Sequence, residues 1–404
     1  MTRVETAPVV RETTKQVFVP GVGQHDNIGD IILRRQLLDM LRPLGRLHVY
    51  VGASPAGYDE ALGLTEDDIV YRSFARWYGA GLAASIKGNT AYVFKPGEIQ
   101  LTILGMKEHI GMLPLLLLLR LRGGRAIRIG VGSRNFAEIP RMLMKPSIAL
   151  SDLTMWRDTG TADHMHSGGL MPDLAFGEGS SAPLLANGDT ERGVLAVSMR
   201  SDRPYPSDEW IGALKQFATE RELEIWTVTQ VLRDNDKSVK LAQDLGGLPL
   251  EWDGTDHRAQ EERLRVLYRR SRLVVSDRLH VLIGALTEGA LPAGLLVGSS
   301  DKISRHFEAA GITGIAVSAD GAGREDLCHH LDSVLSRSTE IFTGLDQARV
   351  ELDDVQAEVE RLLASPAGTT PVTETGVTDL DQLEARLIAL DPALGAPAPV
   401  GAVR

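Results

Sequence analysis

The chain alternates between short, nearly continuous apolar runs and longer segments whose apolar residues recur every three or four positions. Gln16-Val17-Phe18-Val19, Leu47-His48-Val49-Tyr50-Val51, Ala91-Tyr92-Val93-Phe94, residues 126–132 and Leu153-Thr154-Met155-Trp156 read as strands. Between them lie helix-period segments: one begins near Ile31 and carries Ile32, Leu33, Leu37, Leu38 and Leu41, and another covers 106–121. The second half repeats the style, with strands at 194–198, 224–228, 273–275 and 291–297 and helices over 208–220, 236–245 and 259–271. Strand–helix alternation predicts an α/β fold with parallel sheets, and two successive runs of it predict two Rossmann-like domains facing a cleft.

The same pattern sets the expected organisation. Residues 1–15 read as a flexible tail, 16–167 as the first domain and 168–335 as the second, with the turn residues Gly168, Gly169, Pro172 and Asp173 at the boundary. A C-terminal helical extension follows. Over 340–364, Leu345, Ala348, Leu352, Val355, Val359 and Leu362 step by three and four, which fits a helix lying on the globular body or a seam for a homo-oligomer. Residues 365–404 read as a Pro/Thr/Gly linker, a short helix with Leu380, Leu383, Leu387 and Leu390, and a disordered Ala/Pro/Gly tail.

Charge narrows the partners. The 404 residues carry 43 Lys and Arg against 54 Asp and Glu, a net charge of -11. A general polyanion binder is usually basic, so nucleic acid is not an expected partner, and an anionic ligand must be met by a local cluster of cations. The single cysteine, Cys328, leaves no intrachain disulfide and no multi-cysteine metal site, so no metal is expected and a reducing cytoplasm fits. The polar start of the chain has no apolar leader segment. The greasiest stretch, Met112 to Leu121, is interrupted by Pro114 and Arg120 and is about half the length that spans a bilayer. The expected location is the cytoplasm, with peripheral association at the inner membrane face a further expectation.

Candidate chemistry concentrates where predicted strands end. Ser276-Asp277-Arg278-Leu279-His280 follows the run Leu273-Val274-Val275 and opens an apolar helix. Open α/β sheets bind ligands at the carboxyl ends of strands. There Arg278 offers a fork for carboxylate or phosphate and His280 a proton near neutral pH, while Asp277 reads as a helix cap. Arg200 ends the strand 194–198 in the same way, either as a second anchor or as the partner of a carboxylate. The turn after the first strand, Gly21 to Asp30, has Asp26 where a dinucleotide fingerprint needs its third glycine. Within it Asn27 offers a donor and an acceptor, Gly29 permits close backbone approach, and Asp30 either caps the helix or accepts a proton. Lys302 follows Gly298-Ser299-Ser300, a phosphate-cradle composition, and Arg305 and His306 read either as part of it or as an exposed basic helix face. No His-Glu-x-x-His, Walker loop, Gly-x-Ser-x-Gly or Cys-x-x-Cys is present, which argues against zincins, P-loop ATPases, α/β-hydrolases and redox dithiols.

Taken in order, Asn27-Ile28-Gly29-Asp30 after a strand, Ser198-Met199-Arg200, Ser276-Asp277-Arg278-Leu279-His280 before an apolar helix, and Pro292 followed by Lys302 resemble the polysaccharide pyruvyl transferase family over roughly residues 16–315. The resemblance implies a GT-B-like pair of Rossmann-like domains. It also implies transfer of pyruvate from phosphoenolpyruvate onto a sugar of a cell-surface polysaccharide or its lipid-linked precursor, as a ketal across two hydroxyls. On that reading phosphoenolpyruvate is a substrate and no cofactor is needed. Arg200, Arg278 and Lys302 would bind the donor, His280 and Asp30 would be catalytic, and Asn27 and Gly29 would contact the acceptor. The family's glycine-rich turn after the third strand is replaced here by Lys95-Pro96-Gly97-Glu98, although Gly130 and Gly132 are present. A nucleotide-sugar GT-B glycosyltransferase and a non-catalytic scaffold keeping the fold are the alternatives.

Overall fold

A computed structural model describes residues 14–180, 192–298 and 300–364. The expectations for residues 1–13 and 365–404, the tail, linker and short helix, lie outside the described residues, as does Ser299. In the first half the elements are β1 Gln16–Pro20, α1 Ile28–Leu41, β2 Arg46–Tyr50, α2 Tyr58–Ala61, β3 Ile69–Tyr71, α3 Phe74–Lys87, β4 Thr90–Val93, β5 Gly97–Ile99, α4 Lys107–Arg122, β6 Arg125–Ser133, α5 Glu138–Ala149, β7 Leu153–Trp156, α6 Thr159–Met165 and β8 Gly169–Leu170. In the second they are β9 Val194–Ser198, α7 Asp208–Glu220, β10 Glu224–Val228, α8 Asn235–Leu245, β11 Leu248–Leu250, α9 His257–Arg270, β12 Ser271–Ser276, α10 Leu279–Thr287, β13 Leu291–Leu296, α11 Lys302–Glu308, β14 Ala316–Ser318, α12 Arg324–Ser336 and α13 Ser338–Ala364.

All pairings between the described strands are parallel, in two sheets. The first runs β3-β2-β1-β4-β6-β7-β8, with β5 also on β6, and the second runs β11-β10-β9-β12-β13-β14. Both faces are covered, so the central strands β4, β6 and β9 are buried at every residue, which is why they read as continuous apolar runs rather than alternating ones. Each sheet reverses its strand order once, between β1 and β4 in the first and between β9 and β12 in the second. Those reversals open crevices at the carboxyl ends of the strands.

Three expectations about organisation change. Gly169–Leu170 pairs with β7, so the chain leaves the first sheet after residue 170 rather than at 168. The first helix starts at Ile28, and its cap is Asn27, whose Oδ1 accepts from the Gly29 N–H at 3.1 Å; Asp30 therefore sits inside the first turn rather than capping it. On α13, Leu345, Ala348, Leu352, Val355, Val359 and Leu362 are all buried within the chain, so the heptad seam is not the surface a second copy would meet. Arg349 ties the helix to the carbonyls of Phe176 (3.2 Å) and Glu178 (3.0 Å), and Arg125 donates to Leu362 O at 3.3 Å, so the helix returns to the first sheet. No helix among the described residues is long and apolar enough to cross a membrane.

Candidate active site

The loops at the two reversals meet. Residues following β1, β4, β9 and β12 line one cleft enclosing about 1220 Å³ of solvent-open space, joined by the loops after β10 and β13. Its cationic side chains are Arg34, Lys95, Arg134, Arg157, Arg200, Arg203, Arg233, Arg278 and Lys302, against the carboxylates Asp30, Glu98 and Asp277. Nine cations to three acids in a chain of net charge -11 is a local inversion of sign, and it creates a potential well for a small anion.

His280 occupies the first turn of α10, directly behind β12. Ser276 Oγ accepts from the Arg278 N–H at 2.9 Å and fixes the turn. The His280 Nδ1 lies 3.8 Å from Asp30 Oδ1, on α1 of the other domain, and its Nε2 lies 3.5 Å from Asp173 Oδ2. The Asn27–Asp30 motif and the Arg-x-His motif, some 250 residues apart in sequence, are thus neighbours. Gly29 explains how. A Cβ built there would stand 2.4 Å from His280 Cβ and 2.5 Å from Gln230 Nε2, so only glycine lets α1 come this close. Gly29 is buried under His280, which makes its role one of helix approach rather than the acceptor contact expected for it. The Asn27 side chain is spent on capping and on Gln24 Oε1 at 3.1 Å, although it still lines the cleft. An antiparallel bridge of Asn27 to Val231 stitches this turn to the second domain.

The three expected donor-binding cations reach the cleft, each already held by an acid. Arg278 forks onto buried Asp234 through Nε and through Nη2, the latter at 2.7 Å, and Asp234 also accepts from the Ser201 N–H at 2.8 Å. Arg200 forks onto Asp202 at 2.8 and 2.7 Å; Asp202 is 53% exposed, so this pair exchanges readily for a ligand anion. Lys302 bonds Glu98 across the cleft, and Arg134 bonds the same carboxylate. Burial opposes ionisation of Glu98, but the two cations outweigh it and hold its carboxyl down at about 2. Burial lowers Lys302 more than Glu98 lifts it. Asp277 does not cap α10. Its Oδ1 accepts from the Arg200 N–H at 2.8 Å, its buried Oδ2 has no hydrogen-bond partner among the described residues, and burial pushes its carboxyl up.

Several site residues escaped the sequence reading. Fully buried Asp173 accepts from Arg157 Nη1 at 2.8 Å on Oδ2 and from the Ala175 N–H at 3.0 Å on Oδ1, and His280 Nε2 lies 3.5 Å from the same Oδ2. Burial alone would raise its carboxyl; the Arg157 guanidinium, then His280, reverse that and hold it well below the usual carboxylate range. Asp234 and Glu98 were likewise missed as the partners of Arg278 and Lys302. The one signal available was positional: Arg157 follows strand β7 as Arg278 follows β12. Arg305 and His306 are not an exposed face. Arg305 Nη2 donates to Ser133 O at 3.0 Å and its Nη1 lies 3.5 Å from Asp158, while His306 is buried beside the Lys302 carbonyl at 2.7 Å.

Comparison with known proteins adds a family and a fold. Among solved structures, a protein described as a UDP-N-acetylglucosamine 2-epimerase from Listeria monocytogenes is similar with a TM-score of 0.51 and 11% identity, covering 86% of this chain and 98% of its own. UGT2 of Phytolacca americana, complexed with UDP-2fluoro-glucose and pterostilbene, gives 0.50 and 10%, covering 86% and 100%. At such identities they establish the architecture, two Rossmann-like domains in the GT-B arrangement, and nothing about substrates. No curated protein sequence matches. The family model described as polysaccharide pyruvyl transferase matches residues 27–290, which takes in Asn27, Asp30, Asp173, Arg200, Asp234, Arg278 and His280 and stops short of Lys302. With well over half its length inside that match, the chain belongs to the polysaccharide pyruvyl transferase family.

Proposed function

We propose that this protein moves pyruvate from phosphoenolpyruvate onto two hydroxyls of one sugar in a cell-surface polysaccharide or its precursor, with His280 as the proton donor. The observation that carries the reading is the imidazole held 3.8 Å from Asp30 and 3.5 Å from Asp173 at the wall of a cleft lined by nine cations. Phosphoenolpyruvate presents a carboxylate and a phosphate. Arg278, whose Nη1 is not used by Asp234, and Arg200 are suited to grip them, with Lys302 across the cleft.

The chemistry follows from the enol. His280 protonates C3, and positive charge develops at C2, shared with the ester oxygen. A sugar hydroxyl adds to C2 and gives up its proton, for which Asp30 is placed. The C2–O bond to phosphate then breaks with its electron pair on phosphate, and the second hydroxyl closes the ketal. One hydroxyl proton ends on the new methyl group and the other on inorganic phosphate, so the step balances without an oxidant or reductant. The test is phosphate release from phosphoenolpyruvate by the full chain with and without a diol-bearing glycan. Release that requires the glycan, and that His280→Gln lowers by about 10²–10⁴ with donor affinity retained, supports the assignment. Thermal protection by UDP or GDP but not by phosphoenolpyruvate would favour a nucleotide-sugar transferase instead.

A further inference from the structure

Among the described residues, eleven of the sixteen exposed large apolar side chains lie between residues 74 and 143, on α3, α4, α5 and the loops that join them. The crossovers β3-α3-β4, β4-α4-β6 and β6-α5-β7 all move the same way along the sheet, so right-handed connections put the three helices on one face, with α4 packed between its neighbours. Between Ile110 and Leu119 helix α4 is apolar all round. Its inner stripe, Met112, Leu115, Leu116 and Leu119, is buried, while Ile110, Pro114, Leu117 and Leu121 point outward, Leu121 being 72% exposed. A helix of that kind is ordinarily covered on both sides. The loop before it adds Ile103 and Leu104, the latter 68% exposed, and α5 adds Ile139, Met142 and Leu143.

Charge says what covers this face. The three helices carry Arg76, Lys87, Lys107, Arg120, Arg122, Arg141 and Lys145 against Glu108 and Glu138 alone. Both acids are already paired, with Lys95 at 3.0 Å and with Arg141. With Arg120 3.7 Å from Asp152 and Arg141 on Glu138, the five cations Arg76, Lys87, Lys107, Arg122 and Lys145 remain without an acid at ion-pair distance among the described residues, in a chain of net charge -11. A second copy meeting the same face would bring like charges together, because a twofold contact uses the same patch on both sides. We propose that the outer face of α3, α4 and α5 docks on an anionic lipid bilayer: the apolar side chains enter the interface and the lysines and arginines reach the lipid phosphates.

The position of the face gives it a purpose. Gln100 lines the cleft, and Ile103 and Leu104 follow three and four residues later. The bilayer-seeking loop therefore follows the cleft wall directly, on the first domain. Taking the pyruvyl transfer above as given, the acceptor is a sugar carried on a membrane-embedded lipid.

Co-sedimentation of the full chain with phosphatidylcholine vesicles, with and without one quarter phosphatidylglycerol, tests the docking apart from the chemistry. Expected is retention on the anionic vesicles that weakens with salt. Lys107→Glu and Lys145→Glu should each weaken it about fivefold or more. The double variant Leu117→Glu/Leu121→Glu should weaken it about tenfold or more. Thermal unfolding and phosphate release with a water-soluble diol acceptor should be unchanged in all of them. No retention of the wild type, or equal retention of the variants, overturns the proposal. So does a wild-type dimer in sedimentation velocity that the leucine variants dissociate, since the face would then be a protein interface. Failure of the soluble-acceptor assay in the wild type would instead count against the pyruvyl transfer.

Discussion

Replacing Gly29 with alanine sets two effects against each other. In an isolated helix the change stabilises by up to about 1 kcal/mol, since alanine has the better helix propensity. In this chain the new methyl would lie 2.4 Å from His280 Cβ, 2.5 Å from Gln230 Nε2 and 2.9 Å from His280 Cγ. Carbon atoms rest about 3.5 Å apart or more, so α1 and the start of α10 must separate by about 1 Å. Gln230 Nε2 is the end of a flexible side chain and can give way. His280 Cβ is fixed to the helix backbone and cannot move alone. Overpacking of this kind costs about 1–3 kcal/mol, which outweighs the propensity gain and leaves a net loss of about 1 kcal/mol. The catalytic consequence is larger. A misplacement of about 1 Å costs on the order of 10²-fold in rate. Steady-state phosphate release should show kcat reduced about a hundredfold, with the KM for phosphoenolpyruvate within a few-fold of wild type because the guanidinium groups of Arg200 and Arg278, held by Asp202 and Asp234, do not touch Gly29. Full turnover in Gly29→Ala would refute the argument that this contact sets the position of His280.

Other substitutions probe the remaining parts of the cleft. Asp173→Asn leaves Arg157 buried without its carboxylate and should cost about 3–5 kcal/mol in denaturant unfolding. It should also lower kcat, because the carboxylate that faces His280 Nε2 at 3.5 Å is gone; a kcat equal to wild type in the folded variant would confine Asp173 to a structural role. Arg278→Lys keeps the charge but loses the fork on Asp234, and should raise the KM for phosphoenolpyruvate at least about tenfold; an unchanged KM would remove Arg278 from donor binding. Acid should destabilise the fold in two stages. Burial, and then Arg46 and Arg128 respectively, lower His48 to about 4 and His109 to about 3, so their share of stability is present above about pH 6.5 and is lost as pH falls towards those values. Glu98, held at about 2, adds stability that is present above about pH 4.5 and is lost below it; Glu98→Gln should flatten only that second stage of a Tm-against-pH curve.

The chain reads well where structure depends on local spacing. The strands Leu153–Trp156, Val194–Ser198 and Glu224–Val228 and the helix Asp208–Glu220 lie where their apolar periods place them. The segments Phe74–Lys87 and Glu138–Ala149 were passed over. Both also turn large apolar side chains to solvent, Phe74 and Ile86 on the first and Ile139, Met142 and Leu143 on the second. In the site, cations at strand ends were visible because position after a strand is a local property. Their acids were not. Arg278 finds Asp234 at a separation of 44 residues and Lys302 finds Glu98 at 204, and no single-chain pattern records such pairs. Gly29 was read as backbone freedom for a ligand because its true neighbour, His280, lies on the other domain.

The most direct test of the central claim follows the proton. With phosphoenolpyruvate and a glycan diol in deuterium oxide, protonation of C3 within the cleft predicts a pyruvyl ketal whose methyl group carries solvent deuterium, visible as a mass increase that survives exchange back into ordinary water, with one phosphate released per ketal. His280→Gln should slow formation of labelled ketal and phosphate together. A ketal with an undeuterated methyl group, or phosphate released at the same rate without the glycan, would contradict the account.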